Sequence, residues 1–266
     1  MELISLSVLD LSLAACLIVL LAILSWRLQL GLQKTLIIAA SRSVIQLTLL
    51  GLVLKQLFNQ SSLPLIALIS LIMLTVAGYE VMARQGRKFS GWWGMGIGTS
   101  SMFLSSFSIT LLALFTIINV EPWYTPQYLI PLLGMLLGNT MNGIAVSLNY
   151  LTTTADAQKG QIEARLIQGH TWQEAITNIR REALKSGLIP IINSMTTAGI
   201  VSLPGMMTGQ ILAGSPPMEA AKYQLLILFM IAAGTGLGSL AAVWIGSARL
   251  FDDRQRLRLD RLKSAQ

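Results

Sequence analysis

Long apolar runs separated by short polar gaps dominate the chain. They predict membrane-spanning helices at about 6–26, 36–57, 63–83, 92–118, 127–151, 188–213 and 223–247. Each run reaches the roughly 20 residues that a helix needs to cross a bilayer core. The runs are continuous rather than alternating apolar and polar, which excludes a β-barrel. The pattern predicts an all-α polytopic membrane protein with about seven transmembrane helices, a single permease domain over residues 1–266. The sixth run differs from the others because it carries LPGMMTGQILAGSPP, from Leu203 to Pro217. Pro204 removes a helical N–H and crowds the preceding turn, so a kink or break is expected there. Broken helices at membrane depth persist where they are buried in protein or line a cavity. Met206, Met207 and Gln210 are therefore expected to face the interior, with Pro216-Pro217 beginning the return to the seventh span.

Composition agrees with this reading. Of 266 residues, 53% are hydrophobic and only 12% charged, too few for a soluble surface of this size. A net charge of +7 raises the question of nucleic acid, but the basic residues sit in the gaps between apolar runs. One side of the membrane receives Arg27 and Lys34, then Arg84, Arg87 and Lys88, then the basic residues of 152–187 and those of the tail from Arg249. The positive-inside rule then places the N-terminus outside and the C-terminus in the cytoplasm. The lone Cys16 precludes an internal disulfide, and the start of the chain lacks the basic segment of a cleavable signal peptide.

The one long gap, 152–187, reads as a cytoplasmic helix–turn–helix hairpin. Gly169 suits the left-handed position that ends a helix. Thr171-Trp172-Gln173-Glu174 is a capping box that starts another, its hydroxyl and carboxylate each satisfying a free N–H. Trp172, Ile176, Ile179 and Ala183 form one apolar stripe at helical spacing. Such a hairpin either lies on the membrane or docks a soluble partner. Its five basic and four acidic residues are too balanced for pure attraction to lipid. The chain also has no G-x-x-x-x-G-K-[ST] phosphate loop, so any ATP-driven activity needs another subunit. The tail at 248–266 reads as a basic interfacial helix or coil.

Glu163-Ala164-Arg165, Gly169 and Ile179 overlap the E-A-A-x-x-x-G-x9-I part of the coupling motif of ABC importer permeases. The segments GNTMNGIAVSLN (138–149), IEARLIQG (162–169) and LPGMMTGQILAGSPPMEAAKYQ (203–224), in that order, resemble the FetB-type permease family. That family includes bacterial iron exporters and is related to plant aluminium-sensitivity and STAR-type permeases. The resemblance implies a multi-pass permease of the bacterial inner membrane, working as a homodimer with a FetA-like ATP-binding subunit. ATP would then bind the partner, and no cofactor this chain. The substrate it implies is a metal ion, with a nucleotide sugar or other anion as an alternative. The ATPase-coupling residues would be Glu163, Ala164, Arg165, Gly169, Thr171, Trp172 and Glu174.

Polar residues inside spans are functional candidates by default. Glu80 could ligate a cation, couple a proton gradient in a self-sufficient secondary transporter or channel, or pair with Arg84 one turn away. Arg42 and Gln46, one turn apart, could line a pathway, or Arg42 could brace the break in the sixth span. Asn139, Asn142 and Asn149 share one face of the fifth span, which favours a lined path over helix–helix contact alone. The Met206–Met207 pair suits soft ions better than ferrous iron. His170, the only histidine, falls at the cytoplasmic turn, so no metal ligand set is identifiable and no Cys/His catalytic arrangement is possible. Gly234, Gly238, Ala242 and Gly246, four apart, predict a close helix-packing face.

Overall fold

The structure, a computed structural model, describes residues 7–59 and 62–264. It is helical almost throughout, with six helices among the described residues long and apolar enough to cross a membrane. Two compact units divide the described residues, the first formed by 7–59 with 212–214, the second by 62–211 and 215–264.

The first unit is a hairpin of α1 (Val8–Arg27) and α2 (Gln33–Asn59). Ser7 and Asp10 form a capping box at its start, with Asp10 Oδ2 accepting from the Ser7 amide at 2.8 Å. Nearly all of its apolar side chains are exposed, as for a surface meant for lipid or another helix.

In the second unit, α3 (Leu63–Ala83) leads through β1 (Arg87–Phe89) to α4 (Trp92–Met102) and α5 (Ser108–Ala113). Two π-helical turns, Phe103–Phe107 and Leu114–Ile118, interrupt this fourth apolar helix without ending it. The central helix is α6, Pro126–Ala157. At 1.5 Å per residue its 32 residues extend for about 48 Å, longer than a bilayer core is thick. Short helices α7 (Lys159–Ile167) and α8 (Trp172–Ala175) follow, then α9 (Thr177–Thr197), α10 (Gly205–Leu212), α11 (Pro217–Arg249) and β2 (Leu262–Ser264).

The core of this unit is the mutual packing of α6, α9 and α11. Small residues set it. A Cβ on Gly187 would stand 2.6 Å from the Gly143 carbonyl oxygen, so α6 and α9 approach as closely as backbones allow. Gly234, Gly238, Ala242 and Gly246 are all buried, and the three glycines among them abut α6 side chains from Leu136 to Leu151. The small-residue face of α11 thus packs within the chain.

Three expectations from the sequence require correction. The stretch 188–213 is not one span: α9 runs from the hairpin to Thr197, and residues 198–204 form an irregular turn before α10. Within this turn Ala198 and Ser202 are bridged. The break precedes Pro204 instead of centring on it. Pro204 accepts from the Thr208 amide at 3.0 Å, so it initiates α10, as suits a residue without an N–H of its own. Likewise Pro217 opens α11, which begins six residues earlier than the hydropathy pattern indicates. Finally, the tail is neither an interfacial helix nor loose coil. It folds back, and β2 pairs antiparallel with β1 in the register Arg87↔Ser264, Lys88↔Lys263 and Phe89↔Leu262.

Candidate functional site

Two places in the second unit combine accessible space with unusual chemistry, one at each end of α6. The first is a platform at its C-terminal end, where the basic connections gather. Gly169 takes φ +90 and ends α7. Thr171 Oγ1 and the Glu174 carboxylate exchange the two hydrogen bonds of a capping box, with Glu174 Oε2 accepting from the Thr171 amide at 2.8 Å. That bond, then the one from the Thr171 hydroxyl, holds the Glu174 carboxyl below its ordinary pKa. Arg165 reaches across the turn to donate to the Ala175 carbonyl at 3.3 Å.

The tail braces this turn. The Trp172 ring stacks on Phe251, with centroids 5.4 Å apart, and its backbone amide donates to Gln255 Oε1 at 2.9 Å. The tail is itself fixed at its base, where Arg261 Nη1 donates to the carbonyls of Arg249 and Phe251. Two carboxylates hold its loops. Asp252 lies below its ordinary pKa, chiefly because it accepts from the Arg256 amide, and the Arg258 fork draws Asp260 down to about 2. A cleft of about 720 Å³ separates the α7 turn from the tail, bounded by Glu163, Ile167, His170, Arg254 and Arg256 among others. Ile167, 87% exposed, is the most exposed apolar side chain lining it.

The apolar stripe of the hairpin points elsewhere. Ile176, Ile179 and Ala183 are buried, because α9 packs them against the core of its own unit. A partner would therefore meet Ile167 and the charged faces rather than this stripe. Of the proposed coupling residues, Ala164, Gly169, Thr171 and Glu174 are exposed, while Glu163, Arg165 and Trp172 are half-buried.

The second place is a cavity of about 310 Å³ near the N-terminal end of α6, formed by α6, α10 and α11. Its polar lining is Gln127, Tyr128, Met135, Met206, Gln210 and Tyr223, and none of the residues around it is charged. Pro131, also on its wall, removes the amide that would otherwise bond the Gln127 carbonyl. Gln210 Oε1 is buried and has no hydrogen-bond partner.

The residues singled out in the sequence separate between these places. Met206 and Gln210 line the cavity; Met207 is half-buried outside its wall. Met135 joins them from one turn before Asn139, whose own Nδ2 donates to the Met135 carbonyl at 2.8 Å. Asn142 and Asn149 serve the platform end: Asn142 Oδ1 accepts from Arg84, and Asn149 Oδ1 accepts from the Gly86 amide at 2.8 Å. Asn142 and Asn149 therefore anchor the turn after α3, while Asn139 bonds back onto its own helix. Glu80 lies 3.8 Å from Arg84 across one helical turn. Arg42 and Gln46 are exposed on α2 of the first unit. Sequence reasoning missed Tyr128 and Tyr223, which look like interfacial aromatics, and Phe251 and Gln255, whose partner lies some eighty residues away. Among the described residues there is no group of three or more His, Cys, Asp or Glu positioned to hold a metal.

A family model described as an uncharacterised protein family, UPF0014, matches residues 8–251. The chain is 36% identical to Protein ALUMINUM SENSITIVE 3 of Arabidopsis thaliana, over 87% of this chain and 83% of that one. It is 33% identical to the UPF0014 membrane protein YjkA of Bacillus subtilis, over 94% and 98% of the two chains. It is 31% identical to the "Probable iron export permease protein FetB" of Escherichia coli, over 96% of each. No solved structure matches it.

Proposed function

The chain belongs to the UPF0014 family of multi-pass membrane proteins, and we propose that it is the permease of an ABC exporter, moving a metal ion out of the bacterial cytoplasm. The energy comes from a separate FetA-like ATPase, which binds the ATP, and two permease chains form the working unit in the inner membrane. The basic end of α6, with the hairpin and tail, faces the cytoplasm; the cavity end faces outward.

The observation that carries this reading is the braced hairpin. Trp172 is held from one side by its capping box and from the other by Phe251 and Gln255. The helix that leaves this turn, α9, packs along α6 and α11, and those two helices wall the cavity. A force applied at Ile167 and the α7 turn thus has a continuous packed route to the cavity. The iron named for the E. coli relative supports a metal as cargo.

Purifying the tagged full-length chain from its native membrane in mild detergent tests the assignment. An ATP-hydrolysing subunit should co-purify and should be lost when Ile167 is replaced by Glu. A chain that purifies without any ATPase, yet still transports in vesicles under a proton gradient, would overturn it.

A further inference from the structure

The cavity between α6, α10 and α11 has a composition that constrains its ligand. Its polar atoms are thioether sulfurs, carboxamides and phenols, with no carboxylate among them. A hard divalent cation stripped of water would find no anionic ligand to offset its desolvation. An anion would find no arginine or lysine. What the lining does offer is two soft donors, Met135 and Met206, brought together from helices some seventy residues apart in sequence. Gln210 lines the same cavity, and its Oε1 is buried without a hydrogen-bond donor. A buried acceptor left unpaired costs roughly 1–3 kcal/mol, so an electropositive ligand at this oxygen would recover that cost. Pro131 on the same wall also leaves the Gln127 carbonyl without its helical donor.

We propose that this cavity is a soft-cation site, in which the thioethers of Met135 and Met206 and the carboxamide oxygen of Gln210 take a monovalent thiophilic ion such as Cu(I) or Ag(I) in preference to Fe(II). Thioether ligands select soft ions, and a single positive charge is the least costly to hold among neutral donors. The inference deepens the exporter reading and rests on it only for the view that the bound ion is cargo. Iron reaching this cavity would need a ligand of its own to lower its charge.

Ag(I) is a redox-silent probe for the site. Titration calorimetry of the full-length chain in nanodiscs, in chloride-free buffer and with the exposed thiol removed by Cys16→Ser, should show Ag(I) binding and much weaker binding of Fe(II). X-ray absorption on the Ag(I)-loaded chain should show sulfur neighbours. Met135→Leu with Met206→Leu, a nearly volume-conserving pair, should weaken Ag(I) by at least about tenfold, the scale on which supporting groups of metal sites act. Met218→Leu, at an exposed position of α11, should leave it unchanged. Oxygen and nitrogen neighbours only, equal affinity for Fe(II), or Ag(I) binding indifferent to the double substitution would each overturn the proposal. Should the double variant fail to fold, the sulfur shell of the Cys16→Ser chain still decides. A chain that recruits its ATPase but binds no Ag(I) would sink this inference alone; one that binds Ag(I) without an ATPase would sink the exporter reading instead.

Discussion

Gly143 and Gly187 face each other where α6 and α9 cross, and neither position has room for a methyl group. A Cβ on Gly187 would lie 1.9 Å from Ser147 Oγ, which can rotate away, and 2.6 Å from the Gly143 carbonyl, which cannot. Gly187→Ala should therefore destabilise the chain by about 1–3 kcal/mol, read as a lower thermal midpoint in detergent. Gly138→Ala on α6 meets nothing within 4 Å and should be neutral or stabilising by up to about 1 kcal/mol. In the sequence the two glycines are alike, since each lies in the interior of a helix; only the neighbouring helix distinguishes them. Asn149 makes the same point. Its place on a polar face is legible from spacing, but its partner, the Gly86 amide, lies 63 residues away. Asn149→Ala should cost about 1 kcal/mol and increase hydrogen exchange at Gly86, while leaving Ag(I) affinity at the cavity intact.

At the scale of elements, the hairpin and the tail behave as one assembly. Phe251→Ala removes the ring beneath Trp172 and should loosen α8 without unfolding the membrane helices. Its expected signature is ATP hydrolysis by the partner that persists while transport falls. Acid should loosen the same assembly. The carboxyls of Glu174, Asp252 and Asp260 all have depressed pKa values in the folded state. Their contribution is therefore complete above the ordinary carboxylate range and is lost as pH falls, ending for Asp260 only at about 2. Hydrogen-exchange protection of 250–264, corrected for intrinsic rate, should decline from about pH 5 downward, whereas protection of α6 should not. Local signals made part of this legible: the capping box, Gly169 and the limits of α3 all follow from neighbouring residues. The β1–β2 pairing and the burial of the Ile176–Ala183 stripe did not, because both depend on segments distant in sequence. The turn at 198–204 is intermediate: proline announced an interruption, but its placement before Pro204 depends on where α9 stops packing.

For the molecule as a whole, the seven apolar runs correspond to six long helices and one interrupted passage, α9–α10. Hydropathy made the class of protein legible because lipid imposes a continuous apolar requirement on every span. It could not place the cavity, which arises where three elements converge. On the proposed reading, a partner pushes on the braced turn at one end of this unit and cargo sits in the uncharged cavity at the other. The central claim is that ATP hydrolysis on another subunit drives metal across this chain. The most direct test is metal flux in sealed vesicles holding the purified chain together with its ATP-binding subunit. The account predicts flux that requires ATP, stops when the ATPase is catalytically dead, and persists when the proton gradient is collapsed. Flux that continues without ATP and follows the proton gradient would contradict it.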